Sequence, residues 1–273
     1  MRIVARRTAL SLLLVFAAMH APAALAADCE SRVYDLLQAA YPGAQGETGD
    51  EGELLRVSAG GTRWINTGAV ICKVWPASPG KTLLAVKLQH EAATGAAADS
   101  ADLELLVADS NSSKITQRYR EAGALDSDAI RISSLSLDTA RYRLDDKTTA
   151  FGLRVNYSGS SRANPYSSTV LSLYVLDGAK LRPVLRKLEV ALDRGEWDTN
   201  CAGEFENAQR TVAIDSKRDH GYAGLLVSGD EETRRRAAKG DDCEDVAGTN
   251  RKRKARLSYD GREYTVPKEL QGL

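Results

Sequence analysis

The chain has few of the residues from which metal and redox sites are assembled. It carries three histidines and four cysteines in 273 residues. No two cysteines form a C-x-x-C pair, and His90 and His220 lie far apart, so the spacing offers neither a zinc set nor a redox dithiol. H-E-x-x-H, G-x-S-x-G and P-loop motifs are also missing beyond the first 26 residues. Asp109-x-Asn111-x-Ser113 fails as a calcium loop, because Lys114 and Arg120 stand where glycine and glutamate are needed. No cofactor or metal is therefore expected. A charge of one sign is lacking too: basic and acidic residues number 37 each. Setting aside the first 26 residues removes Arg2, Arg6 and Arg7 but no acid, leaving 34 against 37 and a net charge of −3. Such a chain lacks the basic surface that drives binding to nucleic acid. Beyond that leader no apolar run is long enough to span a bilayer.

The leader itself reads as a signal peptide over residues 1–26. A basic start from Met1 to Arg7 precedes an apolar run from Ala9 to Met19, and small residues at Ala24 and Ala26 fit a signal peptidase. Cleavage is expected after Ala26. Cys29 follows Asp28 rather than a small residue at the cut, so no lipid anchor is expected. Residues 27–273 contain no Pro/Gly/Ser linker and read as a single exported domain, periplasmic or secreted.

Cys29, Cys72, Cys201 and Cys243 are an even set in an exported chain, which predicts two disulfides. Of three connectivities, the sequential one, Cys29 to Cys72 and Cys201 to Cys243, closes the shortest loops. The chain-entropy model assigns roughly 4 kcal/mol to each such bridge.

Local patterning predicts a mainly β fold of antiparallel sheets with one short N-terminal helix, arranged as a propeller or as a large sandwich or barrel. After Asp28 as N-cap, Val33, Leu36, Leu37 and Ala40 follow helical spacing until Pro42-Gly43. From Leu54 onward short alternating runs take over, separated by Gly, Asp, Asn and Ser. Near the end, Asp260-Gly261 predicts a two-residue turn that sets Leu257 opposite Tyr264 and Ala255 opposite Val266. A weak repeat also shows. LELLVADS (103–110) and LSLYVLDG (171–178) share a pattern at a 68-residue offset, and LSYDG (257–261) echoes it. Each follows another apolar run (LLAVKL, FGLRVNY, AGLLVSG), suggesting three units of about four strands.

Three strings, WINTGAVICKVW (64–75), FGLRVNYSGSSRANPYSST (151–169) and GEWDTNCAGEF (195–205), resemble segments of uncharacterised exported proteins of proteobacteria. The resemblance spans most of the mature chain. It implies export and a shared fold, and it carries over no catalytic residue.

Two segments stand out as candidate sites. The polar stretch 158–168 joins two apolar strands. Within it Arg162 could hold a carboxylate or phosphate, Asn164 could read hydroxyls, and Tyr166 could stack on a sugar or a side chain. In Gly195–Cys201, Glu196 and Asp198 are two apart beside Trp197, the residue types of a sugar-hydrolysing site without its defined carboxylate separation. From Arg234 to Arg256, basic, acidic and basic blocks alternate, which reads as a solvated loop tethered by Cys243, or else as a docking surface for an anionic glycan, lipid A or an acidic protein. The expectation is a non-enzymatic binding protein of the envelope, a class that includes inhibitor-like proteins, whose partner is a protein or glycan. The alternatives are a cell-wall or polysaccharide hydrolase and a structural subunit of an envelope assembly.

Overall fold

The computed structural model describes residues 29–49, 52–90, 100–240 and 242–273. The signal peptide, its cleavage site and the Asp28 cap lie outside the described residues. The helix forms where its periodicity places it, as α1 (Val33–Ala40), with Leu36, Leu37 and Ala40 buried. Tyr41 leaves the helical conformation, and Gly43 (φ +85) redirects the chain where a side chain would be strained.

Seven strands form the first sheet: β1 (Gln45–Gly49), β2 (Gly52–Ser58), β3 (Thr62–Asn66), β4 (Ile71–Val74), β5 (Lys81–His90), β6 (Ala101–Asp109) and β7 (Ile115–Glu121). Their order is β1-β2-β3-β5-β6-β7, and β4 pairs with the opposite end of the β5 edge that β3 uses. The second sheet runs β14-β13-β12-β11-β10-β9-β8. Its strands are β8 (Ile130–Arg143), β9 (Thr149–Gly159), β10 (Tyr166–Asp177), β11 (Lys180–Trp197), β12 (Gly203–Asp219), β13 (Tyr222–Lys239) and β14 (Asp242–Leu257). All strand pairs are antiparallel, and the sheets do not close into a barrel.

The two sheets pack face to face. Leu83, Leu103, Leu105 and Val107 of the first meet Leu137, Phe151, Leu153, Val155, Val170 and Tyr174 of the second. Phe151 lies at the centre, edge-on to Trp75 at 5.5 Å and stacked on Tyr174 at 5.8 Å. The outer face of the first sheet is covered by α1, through Leu84, Val86, Leu88, Leu106 and Ala108. Strand β6 is consequently buried on both faces, which explains its continuous rather than alternating apolar character. On the reverse of the second sheet, Leu171, Leu173, Leu185 and Leu188 gather with Leu225, Val227, Leu257 and the tail residues Tyr259, Tyr264 and Leu270.

The repeat has a different meaning from three stacked units. The matched strings are β6 and β10, and their upstream partners are β5 and β9. These two hairpins supply facing walls of one core. The third string belongs to β13 and β14 and to the cluster on the reverse face. The terminal hairpin is shifted by two residues from its expected register, since Tyr259, expected opposite Arg262, pairs with Tyr264. The cause is Asp260, whose Oδ1 accepts from the Arg262 and Glu263 amides, both at 2.7 Å, drawing the turn onto Gly261-Arg262. Two-residue turns with positive φ occur instead at His220-Gly221, between β12 and β13.

Both bridges are sequential. Cys29–Cys72 ties the start of the helical segment to β4, and Cys201–Cys243 ties the β11–β12 turn to the β13–β14 hairpin.

Candidate binding surface

Strands β11 to β14 are each 16 to 18 residues long, and only their inner halves contribute to a core. Every residue of β14 from Asp242 to Lys254 is exposed. The outer halves therefore form a four-stranded ribbon that carries the 234–256 charge blocks. This segment is regular hairpin, not loop, and the correction has a physical cause. A ribbon wet on both faces needs no apolar alternation, so its strands carry no periodic signal.

The base of the ribbon is held by Arg210, 8% exposed, whose guanidinium donates at 2.9 Å to both Glu189 and Glu231. Arg253 reaches Glu231 from β14 at 2.8 Å. Burial pushes the Glu231 carboxyl up, and the hydrogen bonds from Arg210 and Arg253 more than reverse this, leaving it below its ordinary value.

Above this hub the register sets out two side-chain rows on one face. Arg194, Glu206, Thr233 and Thr249 form one row, and Glu196, Glu204, Arg235 and Ala247 form the next. Arg194 grips Glu206 at 2.6 and 2.8 Å, and Thr233 and Thr249 share a hydrogen bond of 2.8 Å. These residues, with Asn164, Phe205 and Arg234, line an open groove of about 780 Å³.

The two sequence-derived candidate segments meet at the end of this groove. The Ala163 carbonyl accepts from the Trp197 amide at 2.9 Å, the Pro165 carbonyl from the Gly195 amide at 3.0 Å, and the Arg162 carbonyl from Trp197 Nε1 at 2.5 Å. Residues 162–165 are thereby laid along the end of β11. Trp197 tilts against Phe205 with ring centroids 6.3 Å apart. Glycines make room for both rings: a Cβ on Gly195 would lie 2.5 Å from Phe205 Cδ1, and one on Gly203 would lie 2.3 Å from Trp197 Cβ.

The candidate residues separate by role. Glu196 lies in the groove, directly across from Glu204. Asp198 belongs to the turn, because its Oδ1 accepts from the Asn200, Cys201 and Ala202 amides at 2.9, 2.8 and 3.0 Å. Those bonds hold its carboxyl below the usual range. Trp197, between them in sequence, extends toward the opposite face from Glu196. Tyr166 packs its ring against the inter-sheet core and donates to Ser168 Oγ at 3.1 Å, which makes it a scaffold residue, not a stacking platform. Arg162 is exposed at the tip, and Asn164 lines the groove.

A second polar cluster has no counterpart among the sequence-derived candidates. Asp102, 1% exposed, accepts from Arg120, from His90 Nε2 at 2.8 Å, from Arg63 Nε at 3.3 Å and from the Gly123 amide at 2.9 Å. Burial raises the Asp102 carboxyl, and the bonds from Arg120, Gly123 and His90 outweigh it, leaving the group well below the ordinary carboxylate range. Two residues on, buried Glu104 accepts from Tyr41 Oη at 2.6 Å and pairs with Arg118 at 3.1 Å. Ser100 Oγ lies 3.5 Å from His90 Nδ1, which completes a Ser-His-Asp array in space. The Ser100 hydroxyl, however, donates to Asp126 at 2.7 Å, and Asp102 is neutralised by two guanidiniums, so neither group is free to activate the other through the imidazole. The signal in the sequence was the pair of carboxylates in an otherwise apolar strand, which must find cations when buried. Comparison with protein-family models, with curated proteins and with solved structures gives no match.

Proposed function

We propose that the protein is an exported, non-enzymatic binding protein, and that the face of the ribbon carrying the groove is its recognition surface for another protein. The observation that carries this reading is the ribbon itself. Four strands project past the cores that would stabilise them, their tip is stapled by Cys201–Cys243, and they present arginines and glutamates in register. A chain gains little stability from such an extension, since surface ion pairs are worth about 0–1 kcal/mol each. Alternating charge of both signs suits a partner of complementary mixed charge better than a uniform polyanion. Arg194 and Arg235, whose side chains lie on this face, add a residue type that anchors protein interfaces. Two disulfides fit an oxidising compartment outside the cytoplasm.

The hydrolase alternative loses its motive, because Asp198 is committed to a turn and the aromatic lies across the strand from Glu196. The test is affinity purification of the tagged protein from its native envelope, in parallel with Arg194→Glu/Arg235→Glu. A partner at near-equal amount that elutes with salt and is lost from the variant is the expected result. Equal recovery with the variant would overturn the assignment to the ribbon. Recovery of glycan alone would replace the protein partner by a polysaccharide.

A further inference from the structure

Strand β14 forms one edge of the second sheet, and among the described residues no strand pairs with its outer side. Thirteen consecutive exposed residues give an edge of about 43 Å at 3.3 Å per residue. Exposed edges of this kind are templates for another strand, and proteins normally shorten them, insert proline or line them with charge. This edge has no proline, and its charge is not of one sign. Asp242, Glu244 and Asp245 occupy one end, and Arg251, Lys252, Arg253 and Lys254 occupy the other. The five residues between them, Val246 to Asn250, are uncharged.

We infer that β14 pairs antiparallel with β14 of a second copy of this chain, about a two-fold axis at Gly248, giving a homodimer with one continuous sheet across the two ribbons. A two-fold interface requires a patch that complements itself, and a strand acidic at one end and basic at the other does so only in the antiparallel sense. With Gly248 on the axis, Ala247 faces Thr249 of the second copy. Val246 is the extra residue where the β13–β14 register shifts between Arg235 and Arg236. Beyond it, Arg251 falls opposite Glu244 and Arg253 opposite Asp242 of the other copy, on one face of the sheet. Among the described residues Asp242, Arg251, Lys252 and Lys254 form no ion pair within the chain, so these charges are available to a partner. Val246 is 47% exposed, one of few large apolar side chains left uncovered, and it lies next to the axis. The small residues at the centre let the two backbones approach without a clash. The inference stands on the edge strand and is independent of what the groove binds, although Ala247, Gly248 and Thr249 line both.

Analytical ultracentrifugation of the oxidised full-length mature chain tests it. The wild type is expected to sediment as a concentration-dependent dimer at up to about 100 μM, with association weakened about tenfold or more in 1 M salt relative to 0.1 M. Arg251→Glu/Lys252→Glu/Lys254→Glu and, separately, Asp242→Lys/Glu244→Lys are each expected to be monomeric, with unchanged circular dichroism, since the first leaves Arg253 as the only cation of the edge and the second leaves Asp245 as its only anion. Mixed together, the two variants are expected to form a heterodimer. Cysteines at Ala247 and Thr249 on separate chains should form a disulfide only in the mixture, which reads the register. A wild type monomeric at 100 μM, charge-reversed variants that dimerise like the wild type, or folded variants that fail to associate when mixed would each overturn the inference. Loss of dimerisation with retained partner capture would leave the binding function intact.

Discussion

Asp102→Asn removes the charge at the centre of the polar cluster while keeping the shape of the side chain. In the wild type this carboxylate is 1% exposed and is shared by Arg63 and Arg120, whose side chains are 17% and 27% exposed. Removing one member of a buried ion pair costs about 3–5 kcal/mol, because the remaining charge stays desolvated. The arginines keep some contact with water, which places the loss near the lower end, about 3 kcal/mol. For a domain of this size each kcal/mol lowers Tm by about 2–4 °C, so calorimetry should record a fall of about 6–12 °C at pH 7. The pH dependence gives a second reading. The folded carboxyl is held below its unfolded value, so its contribution is complete above about pH 4 and is lost progressively as pH falls toward the folded value. The gap between wild type and variant should therefore be widest at neutral pH and narrow below about pH 4. A Tm within about 2 °C of wild type at pH 7 would refute the energetic argument, and a gap unchanged between pH 7 and pH 3 would refute its electrostatic origin.

Other consequences are as direct. Phe151→Ala opens a cavity between the sheets, where Trp75 and Tyr174 pack on the ring, and should cost about 3–5 kcal/mol in denaturant unfolding; a loss below about 1 kcal/mol contradicts the face-to-face core. Gly229→Ala places a Cβ 2.0 Å from the Gln209 carbonyl oxygen and 2.8 Å from Arg210 Cα, so it should destabilise by about 1–3 kcal/mol and loosen the hub at the ribbon base; wild-type stability would show that β12 and β13 do not approach so closely. Cys201→Ser/Cys243→Ser should speed hydrogen exchange in residues 198–206 and 236–246 while amides of β5, β6, β9 and β10 stay protected. Loss of protection across both sheets would mean that the tip bridge holds the fold, not only the ribbon.

The legible parts of the chain were those where one face is buried and one is wet. Val33, Leu36, Leu37 and Ala40 mark α1 because only one side of the helix meets the sheet. The disulfide pairing followed from loop length, since both bridges join neighbouring elements. Where that asymmetry is absent the pattern fails. Strand β6 is dry on both faces, and β14 is wet on both, so the first resembles any apolar run and the second resembles a loop. Of the sequence-derived candidates, Asn164 and Glu196 line the groove and Trp197 lies beside Glu196 on β11. Their separation onto two faces depends on strand register, and the joining of Ala163 and Pro165 to β11 depends on backbone hydrogen bonds that side-chain identity does not encode. Asp198 illustrates the limit most clearly, since a carboxylate that caps three amides and one that attacks a substrate are the same residue in a sequence.

The central claim is that the ribbon face, and not the sandwich, meets the partner. Site-specific photo-cross-linking in cells that make the protein tests it most directly, with the reactive side chain placed at Arg235 in the groove and, in a separate chain, at Tyr34 on the exposed side of α1. The account predicts a discrete heterologous adduct from position 235, absent from position 34 and absent when Arg194→Glu is added. Adducts from both positions alike, or from position 34 alone, would contradict it.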